Sequence, residues 1–160
     1  MRISNIVPCS MNNGEGARMV IIFQGCSLNC KGCFSPELQN FNGGKEVSPM
    51  RLVDFIVRQY ATNGDLLDGI TLSGGNPQEQ IELASFLRIL KSKLPKVDVW
   101  MWTGYTMDEI KESGSLSVHL DYLDAAITGR FEVDKKVEGT FYGSSNQEMW
   151  RKKNGKWKKD

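Results

Sequence analysis

Cys26, Cys30 and Cys33 place three thiols within eight residues, at a C-x3-C-x2-C spacing, directly behind the apolar run Met19–Phe23. Closely spaced thiols in a reducing compartment more often bind metal than pair with each other. A closed structural zinc site takes four protein ligands, one more than this loop offers. Three cysteines suit a [4Fe-4S] cluster held at three of its irons, with the fourth iron open to a non-protein ligand. Two other readings stand beside it, a disulfide pair with a spare thiol and a zinc-binding interaction module whose knuckle is completed by a distant ligand. For that last role only Cys9 and His119 remain in the chain. The sequence opens Met1-Arg2-Ile3-Ser4-Asn5 without an apolar core segment. No secretory signal is therefore expected, which disfavours the disulfide and predicts a cytoplasmic location.

The loop needs elements to hold it. Met19–Phe23 reads as a strand, so the cysteines sit at its end, and Asn12–Arg18 before it reads as a tight turn with left-handed backbone at its glycines. Ser48-Pro49 opens a helix in which Leu52, Val53, Ile56 and Tyr60 recur at helical spacing up to Gly64. Asp68–Ser73 is a short alternating strand ending in Gly74-Gly75-Asn76-Pro77. A second amphipathic helix carries Ile81, Ala84, Leu87, Ile89, Leu90 and Leu94 on or near one face and stops at Pro95. Val97–Trp102 is a third strand running into Thr103-Gly104-Tyr105, and Thr106–Glu109 has the capping-box pattern of a helix start. Leu123–Ile127 is a fourth strand opening into Thr128-Gly129-Arg130-Phe131. Such alternation predicts an α/β fold of parallel βα units with right-handed crossovers. A closed eightfold barrel takes about 250 residues, so 160 residues predict a partial barrel or an open, mostly parallel curved sheet. The motifs then fall at the carboxyl ends of successive strands, where α/β folds keep their sites.

Composition is that of an ordinary globular domain, with 40% apolar and 24% charged residues. A net charge of +1 argues against bulk nucleic-acid affinity, and no apolar run reaches the length of a membrane span. Charge is unevenly spread: six of the 20 Lys and Arg fall in residues 151–160 beside the single acid Asp160. We read residues 1–147 as the main domain and 148–160 as a basic tail, either a docking element or a solvated end. Asn154-Gly155 is the preferred pair for a two-residue type I′ turn, so the tail can close into a small hairpin. In that register Trp157 faces Lys152, a pairing that invites cation–π contact.

The glycine pair has a physical rationale of its own. Two glycines at a strand end remove side chains, so that a ligand can reach backbone carbonyls and amides. The thiol spacing resembles the signature of the radical S-adenosylmethionine (radical SAM) enzymes. That resemblance implies a shortened radical SAM partial (βα) barrel in which Cys26, Cys30 and Cys33 ligate a [4Fe-4S] cluster and S-adenosyl-L-methionine chelates the open iron. Electron transfer from the cluster would then release a 5′-deoxyadenosyl radical. It further implies that the cofactor's methionine end is held at Gly74, Gly75 and Asn76, and its adenine end along Gly32, Cys33 and Phe34. The chain departs from the family in two places. Asn76 stands where an acid is usual and brings no charge. Gly32 stands where many members have an aromatic before the last cysteine, with Phe34 after it instead.

Asn13–Arg18 also looks like the lead-in of the glycyl-radical activating branch. Thr103-Gly104-Tyr105, Gly129-Arg130-Phe131 and Gly143-Ser144-Ser145-Asn146-Gln147 are similar to the members of that branch that serve anaerobic ribonucleotide reduction. The resemblance spans residues 5–147. It implies hydrogen abstraction from a glycine of the large subunit of the anaerobic ribonucleoside-triphosphate reductase, with a flavodoxin or ferredoxin as the one-electron donor. No general acid or base is required, which fits a chain with one histidine. The same radical chemistry on a different substrate is the remaining alternative.

Overall fold

Near-continuous burial along three successive apolar runs, on both faces of the sheet, builds the centre of the molecule. In the computed structural model, which describes residues 1–63 and 66–160, these runs become β2 (Arg18–Phe23), β4 (Gly69–Gly74) and β5 (Asp98–Thr103). Met19, Ile21, Phe23, Ile70, Leu72, Val99 and Met101 point to one face. There they meet α1 (Pro49–Asn63) and α2 (Leu83–Lys93) through Leu52, Ile56, Phe86, Leu87 and Leu90, all of them buried. On the opposite face Trp100 packs with Ala125, Ile127 and Met149, and Trp102 and Phe141 lie against them.

β6 (Ala125–Thr128) completes a run of parallel neighbours, β2-β4-β5-β6. Phe23 pairs with Gly74, and Thr103 with Thr128. The register thus brings the carboxyl ends of all four strands to one side of the sheet.

A mostly parallel sheet was expected, and this is corrected by the edges. β1 (Arg2–Ser10) runs antiparallel to β2 and to β3 (Lys45–Glu46), while β7 (Glu148–Lys153) runs antiparallel to β6 and to β8 (Lys156–Lys159). The eight strands lie in the order β3-β1-β2-β4-β5-β6-β7-β8. Only three of the seven ladders are parallel. Connection length accounts for two of these ladders: seven residues between β1 and β2 and two between β7 and β8 form hairpins, whereas a parallel return needs a crossover of a dozen or more.

Several local expectations meet the structure. Pro49 starts α1, whose expected end at Gly64 lies outside the described residues. Thr106 caps α3 (Met107–Glu112) with both halves of the capping box formed, and a single-turn helix, α4 (Gly114–Ser117), follows. Gly14 and Gly16 have φ of 117° and 71°, and Asn154 and Gly155 have φ of 51° and 73°, as a type I′ turn demands. Lys152 does pair with Trp157, but its Nζ donates to the carbonyls of Leu120 and Asp121 instead of covering the ring. The second helix starts later than its apolar spacing indicates. Pro77–Glu79 is a separate 3-10 turn, and Ile81 is fully exposed ahead of α2. Cys9 is exposed. Among the described residues no helix is long and apolar enough to cross a membrane.

Candidate metal centre

Hydrogen bonds tie the cysteine loop down at several points. Gly25 and Cys26 donate backbone N–H groups to the carbonyls of Leu38 and Gln39, at 2.8 and 3.2 Å. Buried Gln24 supports the same segment from behind, its Nε2 donating to the carbonyls of Glu37 and Asn40. Cys33 N–H closes a turn onto the Cys30 carbonyl, with Asn29 and Gly32 left-handed on either side at φ of 47° and 69°. The chain therefore coils back on itself and presents its three thiols, each half-buried, toward one hollow.

That hollow has a volume of about 470 Å³, and Cys26, Cys30, Cys33, Phe34, Gly74, Gly75 and Asn76 all line it. Gly32 does not. A Cβ there would meet Val133 at 2.9 Å, so Gly32 serves the turn and the close approach of the 133 segment. A wider groove of about 810 Å³ lies between β1, β3 and α1, walled by Lys45, Arg51, Asp54 and Arg58. It carries none of the thiols or glycine motifs.

The glycine pair acts differently from the ligand-access argument. Gly75 N–H donates to the Phe23 carbonyl at 2.8 Å and Asn76 N–H to the Gly25 carbonyl at 2.9 Å. A Cβ on Gly75 would stand 2.3 Å from that Gly25 oxygen, and one on Gly74 2.5 Å from the Phe23 oxygen. The glycines let the 74–76 backbone press against the start of the cysteine loop, so the two walls of the hollow are one hydrogen-bonded unit. Gly75→Ala is expected to cost roughly 1–3 kcal/mol of stability, as forced overpacking does. Thermal unfolding measures it, and iron retained after reconstitution reports the loop.

Asn76 lines the hollow, and Gln78 and Glu79 stand behind it. Asn76 is buried, and its Oδ1 and the Gln78 Oε1 both face the Thr103 hydroxyl, at 3.0 and 2.8 Å. Gln78 Nε2 lies 3.3 Å from His119 Nδ1, and burial pushes that imidazole's pKa down. The sole histidine therefore belongs to this polar network and not to the thiols. Sequence reasoning passed over Gln24, Gln78, Glu79 and Gln80. For Gln78, Glu79 and Gln80 the only signal is a polar run directly after a glycine-rich strand end, and Gln24, a single polar residue between Phe23 and Gly25, carries none.

Burial pushes the Cys26 thiol's pKa up, and the nearby Glu79 carboxylate acts in the same direction, against the Leu28 backbone hydrogen bond. Across the hollow, Arg130 grips Glu109 with both nitrogens, at 2.9 and 3.0 Å. That guanidinium, with the Thr106 N–H, holds the Glu109 carboxyl down to about 2 from its usual 4.5. A lowered folded-state pKa stabilises above the unfolded value, so this contribution is whole above pH 4.5 and fades as pH falls toward 2. Both side chains are more than 40% exposed, so solvent screens the pair and the effect is small. Glu109→Gln is expected to lower the melting temperature slightly at neutral pH and low salt, with the difference from wild type closing as pH falls toward 2.

The donor set can be tested against the groups that three thiols might hold. Among the described residues no three His, Cys, Asp or Glu side chains converge on a single-ion position. A cluster binds each thiolate at a separate iron, so it needs thiols that share a space and not a point. Cys26, Cys30 and Cys33 do share one. Cys9 cannot join them: β1 is antiparallel to β2 and sets Ser10 beside Arg18, at the end of β2 opposite to the loop. The residues fit a three-cysteine cluster and lack the fourth ligand of a structural zinc site.

The family described as "4Fe-4S single cluster domain" matches residues 12–150. A protein of Enterobacteria phage T4 is 31% identical over the whole of both chains and is named an anaerobic ribonucleoside-triphosphate reductase-activating protein. Proteins of the same name from Haemophilus influenzae and Pasteurella multocida are 33% and 32% identical. Those matches cover 90% of this chain and 94% and 93% of the relatives, respectively.

Proposed function

This chain belongs to the 4Fe-4S single cluster domain family, and from that premise we propose that it is the activating enzyme that installs a glycyl radical on an anaerobic ribonucleoside-triphosphate reductase. The observation that carries the proposal is the hollow: three thiols on one wall, two glycines on the other, in a chain that the phage T4 relative matches from end to end. Cys26, Cys30 and Cys33 would hold the [4Fe-4S] cluster, and the missing fourth cysteine leaves room for S-adenosyl-L-methionine. Bound together, cluster and cofactor supply one-electron cleavage of a sulfonium bond and thereby a deoxyadenosyl radical able to take hydrogen from a glycine.

The chain's own residues shape and shield that event. Since the N–H groups of Gly75 and Asn76 are spent on the Phe23 and Gly25 carbonyls, and the Asn76 carbonyl accepts from Glu79 N–H, the Gly75 carbonyl would be left to receive the ammonium of a methionine moiety. Phe34 is 58% exposed at the rim and stacks on Phe131 with centroids 4.5 Å apart. It offers an aromatic face to a purine from the side where Gly32 and Cys33 turn. The parallel β2-β4-β5-β6 centre, with its motifs at the carboxyl ends, supports the reading of the fold as a shortened radical SAM barrel. All four cysteines are free thiols, in keeping with a cytoplasmic setting where a flavodoxin or ferredoxin supplies the electron.

Anaerobic reconstitution with iron and sulfide, followed by dithionite, S-adenosyl-L-methionine and the reductase, tests the whole proposal. A glycyl doublet by electron paramagnetic resonance is the expected result. A brown, iron-loaded protein that gives no doublet on the reductase yet forms deoxyadenosine with a small substrate would move the same chemistry to another target. A colourless protein carrying about one zinc would end it.

A further inference from the structure

Glu79 lies behind the wall of the hollow, in the turn that follows Gly-Gly-Asn-Pro, and donors from three loops converge on its carboxylate. Ser27 contributes its N–H at 2.8 Å and its hydroxyl at 3.0 Å, Asn76 its amide at 3.3 Å and Tyr105 its hydroxyl at 3.2 Å. These partners are all neutral, and among the described residues no cation forms a salt bridge with it. The side chain is only partly exposed. Its charge is therefore held in place and left uncompensated, next to the residue that follows Cys26.

Both features bear on a cluster. Fixing Ser27 fixes the backbone from which the Cys26 thiol departs, and it does so from the glycine loop, so the two walls cannot slide apart. A fixed negative charge close to an iron–sulfur cluster disfavours adding an electron to it, because cluster potential follows local net charge and exposure.

We infer that Glu79 is a positioning residue for the Cys26 ligand and sets the cluster's reduction potential at a more negative value. The inference rests on the cluster reading above and deepens it: a more strongly reducing cluster is what sulfonium cleavage requires.

The experiment uses the full chain, reconstituted anaerobically as wild type, Glu79→Gln and Glu79→Asp. Iron and sulfide are counted first, and the midpoint potential is then read by redox titration followed by electron paramagnetic resonance, without cofactor or reductase. Glu79→Gln is expected to shift the midpoint positive, while Glu79→Asp, which keeps the charge, stays near wild type. Where Glu79→Gln retains no cluster, Glu79→Asp decides: iron held at the wild-type potential supports the carboxylate, and a shifted potential overturns it. A loaded Glu79→Gln protein with an unshifted midpoint overturns the role of Glu79 alone. A wild-type chain that takes up no iron overturns the cluster reading, and this inference with it.

Discussion

Alanine at Cys26, Cys30 or Cys33, one at a time, is expected to abolish iron retention and with it activation of the reductase. Each thiolate is the only protein ligand to one iron in the proposed site, so no neighbour can substitute. Losing an outer-shell partner alone costs a metal site about 10–100-fold, and losing a ligand should exceed roughly 100-fold. Cys9→Ala is the internal control, since Cys9 lies at the other end of β2 and is exposed. Iron content and glycyl-radical yield check the outcome. The three loop thiols are half-buried and outside the packed core, so the iron-free variants should melt with iron-free wild type. Activation surviving in any of the three would remove the cluster from the mechanism.

Arg18→Met is expected to produce the largest loss of stability, about 1–3 kcal/mol for each buried acceptor left without its donor, with a smaller share from the ion pair because Asp98 is 41% exposed. The guanidinium is 2% exposed. Its Nε donates to the Thr71 hydroxyl at 2.9 Å, and its Nη2 faces the Ile70 carbonyl at 3.0 Å and Asp98 Oδ1 at 2.5 Å. This guanidinium and that of Arg151 each lie 4.9 Å from the Trp100 ring centroid. Gly14 and Gly69 exist in this form to admit the side chain, since a Cβ on them would stand 2.8 and 2.5 Å from it. Methionine fills the volume but leaves the Thr71 hydroxyl and the strand carbonyls without their donor. Against a typical domain stability of about 5–15 kcal/mol, such a loss is visible in any urea titration. Arg18→Met/Asp98→Asn should recover part of it, because the carboxylate is no longer left unpaired. A change below about 1 kcal/mol would mean that solvent, not Arg18, satisfies these groups.

Arg18 also shows why some of the molecule was readable in one dimension and some was not. By type and position it is a charged residue ahead of a strand, and such residues are mostly exposed. Its burial depends on Thr71, Asp98 and Trp100, which reach it only through the parallel register of β2, β4 and β5. Glu79 is a second instance: its main partner, Ser27, lies 52 residues away. Ile81 is the converse, an apolar residue in helical phase with Ala84 and Leu87 that the structure leaves in solvent, because the turn at Pro77–Glu79 delays the helix.

By itself the sequence determined what short-range physics controls. That comprises the three-thiol spacing, the apolar runs that become β2, β4 and β5, the capping box at Thr106 and Glu109, and the Asn154-Gly155 turn. Each rests on residues within a few positions of one another, whose period or backbone preference is written locally. Tertiary structure alone decided that the sheet's edges run antiparallel, that the glycine pair is packed against the cysteine loop, and that one carboxylate without a cation joins three loops. Those features arise from contacts between segments far apart in the chain, and a polar or glycine residue carries no periodic mark of the partner that will meet it.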